Sequence, residues 1–210
     1  MYLPAIFNEN NTAILQNFIV EHGFAIMVSS HHGQAFANHF PLLIERGQGA
    51  LGTLVGHMAR ANPHWRQLAP EQEILVIFHG PHTYISPSWY NERLSVPTWN
   101  YVAVHAYGIF QLIPDDKLYA LLQKTVNTFE TGSKNPYGLD LPDDYLNKMM
   151  EKIVGFEIAI SRLEGKFKLS QNRSSVDQKN VIAALHQRNG CHDQEIAALM
   201  YENIQGENPR

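Results

Sequence analysis

The stretch that decides how this chain is read is Ala-Leu-Gly-Thr-Leu-Val-Gly-His (50–57), followed by Met-Ala-Arg-Ala-Asn-Pro-His-Trp-Arg (58–66). Its first half alternates as a strand does. Leu51, Thr53, Val55 and His57 share one face, and Ala50, Gly52, Leu54 and Gly56 share the other. Two glycines on one face fit either a close approach to the backbone or a bend in a barrel. The second half changes character. Asn62 suits a helix cap and Pro63 the first turn, with Arg60 just upstream. Free N–H groups beside a guanidinium form an anion site suited to a phosphate monoester. The same residues also make an ordinary capped turn with a surface arginine.

Outward from this stretch, strand and helix signals alternate. Asn10 or Asn11 caps a predicted helix over 11–22, stopped by Gly23. Strands are predicted over 24–28 and 35–44, with a break near Pro41. Another runs over 74–79. Residues 101–113 alternate, with Val102, Val104, Ala106, Phe110 and Leu112 on an apolar face and Tyr101, His105, Tyr107 and Gln111 opposite. Pro114-Asp115-Asp116 and Pro142-Asp143-Asp144 open helices. The first carries Leu118, Leu121, Leu122, Val126 and Phe129 on one face. Residues 154–161 read as a strand, and 176–188 and 193–203 as a closing helix pair. The predicted class is α+β, with about six antiparallel strands forming a closed or nearly closed sheet. Two regions are expected, a main domain over 1–173 and a helical extension over 174–210 packed on it.

Composition bounds the function. Of 210 residues, 44% are hydrophobic, enough for a sizeable core, and 17% are charged, against a typical ~25%. The net charge of −4 disfavours a protein held on DNA by bulk charge. Residues 1–113 carry nine of the eleven histidines and no lysine. The single cysteine, Cys191, excludes an intrachain disulfide. The N-terminus lacks a basic, apolar leader, and no apolar run approaches the ~20 residues needed to span a bilayer, so a cytoplasmic setting is expected.

Three further segments are rich in chemistry. His-Gly-Pro-His-Thr-Tyr-Ile-Ser-Pro-Ser-Trp-Tyr (79–90) reads as a loop able to cover a flat ligand, or to pack on the barrel or against another subunit. Val-Pro-Thr-Trp-Asn-Tyr (96–101) leads into the alternating strand. Lys-Phe-Lys-Leu-Ser-Gln-Asn-Arg (166–173) clusters donors after a strand. The histidines lack metal-ligand spacing, and no metal is expected. No Gly-x-Ser-x-Gly or dinucleotide fingerprint occurs.

Together, segments 52–65, 78–90, 97–105 and 163–173 resemble the PaiB-type FMN-binding negative transcriptional regulators. The resemblance covers almost the whole chain in order. It implies the FMN-binding split β-barrel, a homodimer and two flavin sites at its interface. It places His57, Arg60 and Asn62 at the flavin phosphate. Ser86, Trp89, Thr98, Trp99, Asn100 and Tyr101 then stack on the ring or bond its edge, and Lys168, Ser170 and Gln171 close the site. Phe167 stands where many relatives carry Trp. No catalytic residue is assigned.

Two functions follow from the resemblance: negative regulation with FMN bound, and FMN-dependent oxidoreduction of small molecules as in the wider fold. A dimeric shell that has lost its flavin is a third. The final helix carries Asp193, Glu195 and Glu202 and neither Lys nor Arg, which makes it a poor DNA reader.

Overall fold

A computed structural model describes residues 1–69, 71–92 and 94–206. Asn11 caps the first helix, its Oδ1 accepting the Ala13 N–H at 3.0 Å. That helix, α1, spans Thr12–Glu21 and ends before Gly23, where a Cβ would lie 2.9 Å from the Leu42 carbonyl. Ahead of it lies a short strand, β1 (Asn8–Glu9).

Seven more strands follow: β2 (Phe24–His31), β3 (Gln34–Pro41), β4 (Leu43–Glu45), β5 (Thr53–Ala59), β6 (Glu73–Ile85), β7 (Thr98–Leu112) and β8 (Ile153–Lys168). The strand expected over 35–44 is split after Pro41 into β3 and β4. A one-turn helix, α2 (His64–Gln67), follows β5. The longer helices are α3 (Asp115–Phe129), α4 (Asp143–Met150), α5 (Ser175–Arg188) and α6 (Asp193–Gln205). Hydrogen bonding orders the strands β3-β2-β6-β7-β8-β5-β4, with β1 added on β8. Eight strands stand where about six were expected, the surplus being the short β1 and β4.

The described chain divides into two units. One comprises Met1–Phe18, Phe78–His105 and the residues from Glu164 on; the other comprises Ile19–Ile77 and Ala106–Leu163. In the second unit, β2 and β3 form a hairpin in register from Phe24 opposite Pro41 to His31 opposite Gln34. There β5 runs antiparallel to β8 from Thr53 opposite Ala159 to Ala59 opposite Ile153. Leu43, Val55, Leu118 and Leu121 form an apolar cluster flanked by Ile113, Leu122, Met150 and Ile153. Phe129, expected on the buried face of α3, is instead 55% exposed.

In the first unit, Val102 and Val104 of β7 are fully buried, as the alternation predicts. α5 and α6 bury Val181, Leu185, Ile196, Ala197 and Met200. α5 opens on Ser174, whose hydroxyl accepts the Asp177 N–H at 3.1 Å, and closes on Asn189 in the left-handed region.

The segment over 79–90 corrects a sequence expectation. It is strand as far as Ile85, then a 3₁₀ turn over Pro87–Trp89. Burial follows Ile74, Val76, Phe78 and Gly80, then shifts phase to Pro81, Thr83 and Ile85. That shift at Gly80-Pro81 hides the strand periodicity from a fixed two-residue count.

Candidate functional site

The residues marked from sequence fall into two groups, one in each unit. In the second unit, β5 delivers His57 and the chain turns at Arg60. The Arg60 N–H donates to the Lys152 carbonyl at 2.7 Å. Asn62 does not take the expected cap position, which Pro63 occupies without a side-chain capping bond; its Oδ1 instead accepts the His64 N–H at 3.0 Å. The helix that follows has four residues, and its N-terminus offers no anion cradle.

Arg60 is also engaged. Its Nε donates to the Glu151 carbonyl at 2.8 Å, and its guanidinium lies 3.7 Å from the Asp115 carboxylate. It lines a cavity of about 650 Å³ with Asp115, Leu118, Asn147, Met150 and Glu151. Two carboxylate residues on that rim oppose an anionic ligand. Gly56 leaves no opening either. A Cβ there would meet Leu42 Cδ2 at 2.6 Å and the Phe156 ring at 3.2 Å, so the protein fills that gap itself. His57 is half-buried, and desolvation lowers its pKa.

His64, next to this turn, is fully buried. Its Nε2 lies 2.8 Å from the Ser29 hydroxyl and its Nδ1 3.0 Å from the Asn38 amide nitrogen. With Asn38 donating to Nδ1, the ring proton sits on Nε2 and points at Ser29. The imidazole then cannot take the serine proton, and this Ser-His-Asn row is a structural lock rather than a nucleophile relay. Burial lowers the His64 pKa, in keeping with a neutral ring.

The first unit holds the denser cluster. Lys168, at the end of β8, donates from Nζ to the Thr98 hydroxyl and, at 2.8 Å, to the Trp99 carbonyl. Asn100 is fully buried and donates to Ser170 Oγ at 3.0 Å and to Met200 Sδ at 3.4 Å. Ser170 holds a left-handed backbone, φ 65°, which turns the chain back at this point. Thr98, Asn100, Lys168 and Ser170 line a cavity of about 160 Å³ with Tyr90, Val96, Pro97, Asn172 and Arg173. Burial, and secondarily the charge of Lys166, lower the Lys168 pKa. The Lys166 ammonium sits near the faces of Tyr2 and Tyr101 and donates to the Tyr2 carbonyl at 3.0 Å. Among the described residues, neither lysine has a carboxylate partner.

Trp99 is 53% exposed, with Tyr84 and His82 ring centroids 6.1 and 6.2 Å away. These three residues border a cleft of about 350 Å³ that also includes Arg188, Cys191 and His192. Trp89 lies beneath the Arg188 guanidinium, and Ser86 caps the 3₁₀ turn by accepting the Ser88 N–H. Gln171 is spent locally: it accepts from the Leu169 N–H and donates to the Phe167 carbonyl. The structure thus brings together Thr98, Asn100, Lys168 and Ser170, which Trp99 joins only through its backbone carbonyl while its ring borders the other cleft, with Tyr101 beside Lys166. Tyr90 and Arg173 join the cavity although neither was singled out from sequence; both lie inside segments noted there for their aromatic or donor content. Among the described residues, no group of three or more His, Cys, Asp or Glu side chains is arranged to hold a metal.

The fold is that of the split-barrel flavin-binding proteins. Two solved structures share the fold: the FAD and heme binding protein from Mycobacterium smegmatis and the flavocytochrome Anf3 from Azotobacter vinelandii. The first matches with TM-score 0.62 at 16% identity, over 84% of this chain and 79% of that one. The second matches with TM-score 0.58 at 16% identity, over 77% and 69%. Residues 1–162 match the family described as "Putative FMN-binding domain", and the chain belongs to that family. Among sequence relatives, the protease synthase and sporulation protein PAI 2 of Bacillus subtilis is 36% identical over 97% of this chain and 98% of its own length. An uncharacterised protein of Emericella nidulans is 32% identical over 87% of this chain and 89% of its own length.

Proposed function

We propose that this chain binds FMN as a homodimer and acts as a negative regulator of gene expression of the PaiB type, with the flavin against the Thr98–Tyr101 and Lys168–Ser170 segments. One observation carries the reading: Lys168, without a carboxylate partner among the described residues, and the buried Asn100–Ser170 pair meet at the start of β7, the segment that also carries the half-exposed ring of Trp99. An FMN molecule has an anionic end, a polar ring edge and apolar ring faces. The cluster supplies cations, hydrogen-bonding groups and a flat aromatic surface in one unit, so the residues fit the group. In this reading Trp99 and Tyr101 support the ring, Thr98 and Ser170 bond its edge, and Lys168 holds negative charge. When bound, the flavin supplies a redox centre. The residues facing it would orient it and exclude water.

Support for the dimer comes from the same region. Leu94 is 93% exposed, Val96 70% and Trp99 53%, and apolar side chains gathered in one segment suit burial against a second copy. Direct DNA reading by α6 is disfavoured. Its Ile196, Ala197 and Met200 are buried, Asp193 is buried and bonded to Arg188, and the helix has no basic residue. Regulation then runs through a protein partner or the redox state of the flavin. The absorption spectrum of the purified protein, read beside its native mass, is the test. Flavin bands and twice the chain mass are expected; a colourless monomer that takes up no added FMN overturns the reading.

A second reading, oxidoreduction of a small molecule, is favoured by the cleft of His82, Tyr84, Trp99 and His192, which offers a substrate a surface next to Trp99. Anaerobic reduction of the bound flavin by NADH or NADPH supports it, and a flavin that stays oxidised with both donors counts against a nicotinamide-dependent reductase.

A further inference from the structure

We propose that α6 senses whether the flavin site is occupied, through the thioether of Met200. The inference rests on the flavin reading and deepens it, by naming how occupancy is passed from the site to the surface.

A count of hydrogen-bond donors carries it. Asn100 is fully buried near the start of β7. Its Nδ2 donates to Ser170 Oγ at 3.0 Å and to Met200 Sδ at 3.4 Å. Its Oδ1 accepts the Ser170 hydroxyl at 3.2 Å. A carboxamide has two donor hydrogens and a hydroxyl has one. All of them are therefore engaged within the protein, although both residues line the cavity beside Lys168. An acceptor on a ligand gains a donor from this pair only by displacing a bond already made. The bond to sulphur gives way first, because a thioether is the weaker acceptor.

Met200 carries that local exchange into a helix. It is fully buried, one turn after Ile196 on the same face of α6. The start of α6 is pinned separately, since Asp193 bonds Arg188, Thr83 and the Gly190 N–H. Met200 lies about two turns further along. Displacing its bond to Asn100 loosens the later turns of α6 while the first turn stays fixed. Tyr201, the next residue, is 56% exposed, so the change reaches a surface that a partner can meet. Coupling of this kind is reciprocal. If occupancy loosens α6, then removing the sulphur acceptor favours occupancy.

The test uses the full chain, freed of flavin and then reloaded with FMN. Flavin fluorescence gives the dissociation constant, and amide hydrogen exchange read by mass spectrometry follows α5 and α6 separately. FMN speeds exchange over residues 199–205 several-fold and does not speed it in α5, against the general slowing that a bound ligand brings. Met200→Leu nearly conserves side-chain volume and loses the acceptor. This variant exchanges fast over 199–205 with or without FMN. It binds FMN roughly 3- to 5-fold more tightly than the wild type, the effect of one modest hydrogen bond. Ile196→Val trims the same face of α6 without touching the amide. Its FMN affinity stays within about 2-fold of wild type, and FMN still speeds its exchange, which separates the relay from a general loosening of the helix. If FMN binds but leaves exchange over 199–205 unchanged or slower, or if Met200→Leu binds it no better than the wild type, the relay is overturned and the flavin reading stands. If fluorescence shows no FMN binding, the flavin reading falls and the relay falls with it.

Discussion

Asp193 shows how much one buried carboxylate can organise. Its Oδ1 accepts the Thr83 hydroxyl at 2.6 Å and the Arg188 guanidinium, and its Oδ2 accepts Arg188 Nε and the Gly190 N–H, each at 2.7 Å. It therefore ties the end of α5 and the start of α6 to β6. The bond to Arg188, chiefly, and those to Thr83 and Gly190 outweigh the opposing effect of burial and hold its pKa down to about 2. In the unfolded chain an aspartate titrates near ~3.9. Its stabilising effect is thus fully present above that value and disappears as the pH falls through the folded value. Replacing it, Asp193→Asn, should cost about 2–4 kcal/mol in a urea titration at pH 7, since Arg188 loses its charge partner. A change under about 0.5 kcal/mol would show that solvent satisfies Arg188 instead.

At the level of elements, most of the fold was legible because its signals are local. Asn11, Pro114 and Pro142 mark helix starts, and the alternation along β7 shows which side is buried. β6 was read short because Gly80-Pro81 shifts its phase. β8 was read as ending near residue 161, although it continues to Lys168; the run from Ser161 to Leu163 is exposed or half-buried and breaks the apolar pattern. The same limit applies to the candidate site. Which donors remain unspent is decided by contacts distant in sequence, such as Arg60 with Glu151 or Asn100 with Ser170, and spacing along the chain does not register them. Gly108 of β7 gives a prediction at this scale. A Cβ there would lie 2.4 Å from the Ala159 carbonyl, a backbone atom that cannot move aside. Gly108→Ala should lower stability by about 1–3 kcal/mol or more. Gly47→Ala, where nothing lies within 4 Å, is the control and should stay within about 0.5 kcal/mol of the parent protein.

For the whole molecule, histidine burial sets an acid limit. Desolvation lowers the pKa of His57 and His64, and of His105, where the N-terminal ammonium adds to it and Glu164 opposes it. A histidine of the unfolded chain takes up its proton near pH ~6.5, before these folded ones do. Stability should therefore hold above that pH and decline below it, with the Asp193 contribution lost only in much stronger acid. A melting temperature that stays flat from pH 8 to pH 5 would refute this account. The net charge of −4 carries its own prediction: a gel shift with candidate promoter DNA should show no binding even at low salt. A retarded band that dissolves as salt rises would restore direct DNA recognition.

The long strands β6, β7 and β8 each contribute residues to both units, so one unit is assembled from three separate stretches of chain and the other from two. No single excision from the gene can lift either out whole. Exchange of one half between relatives by recombination would have to cut inside strands β6, β7 and β8 and inside α1.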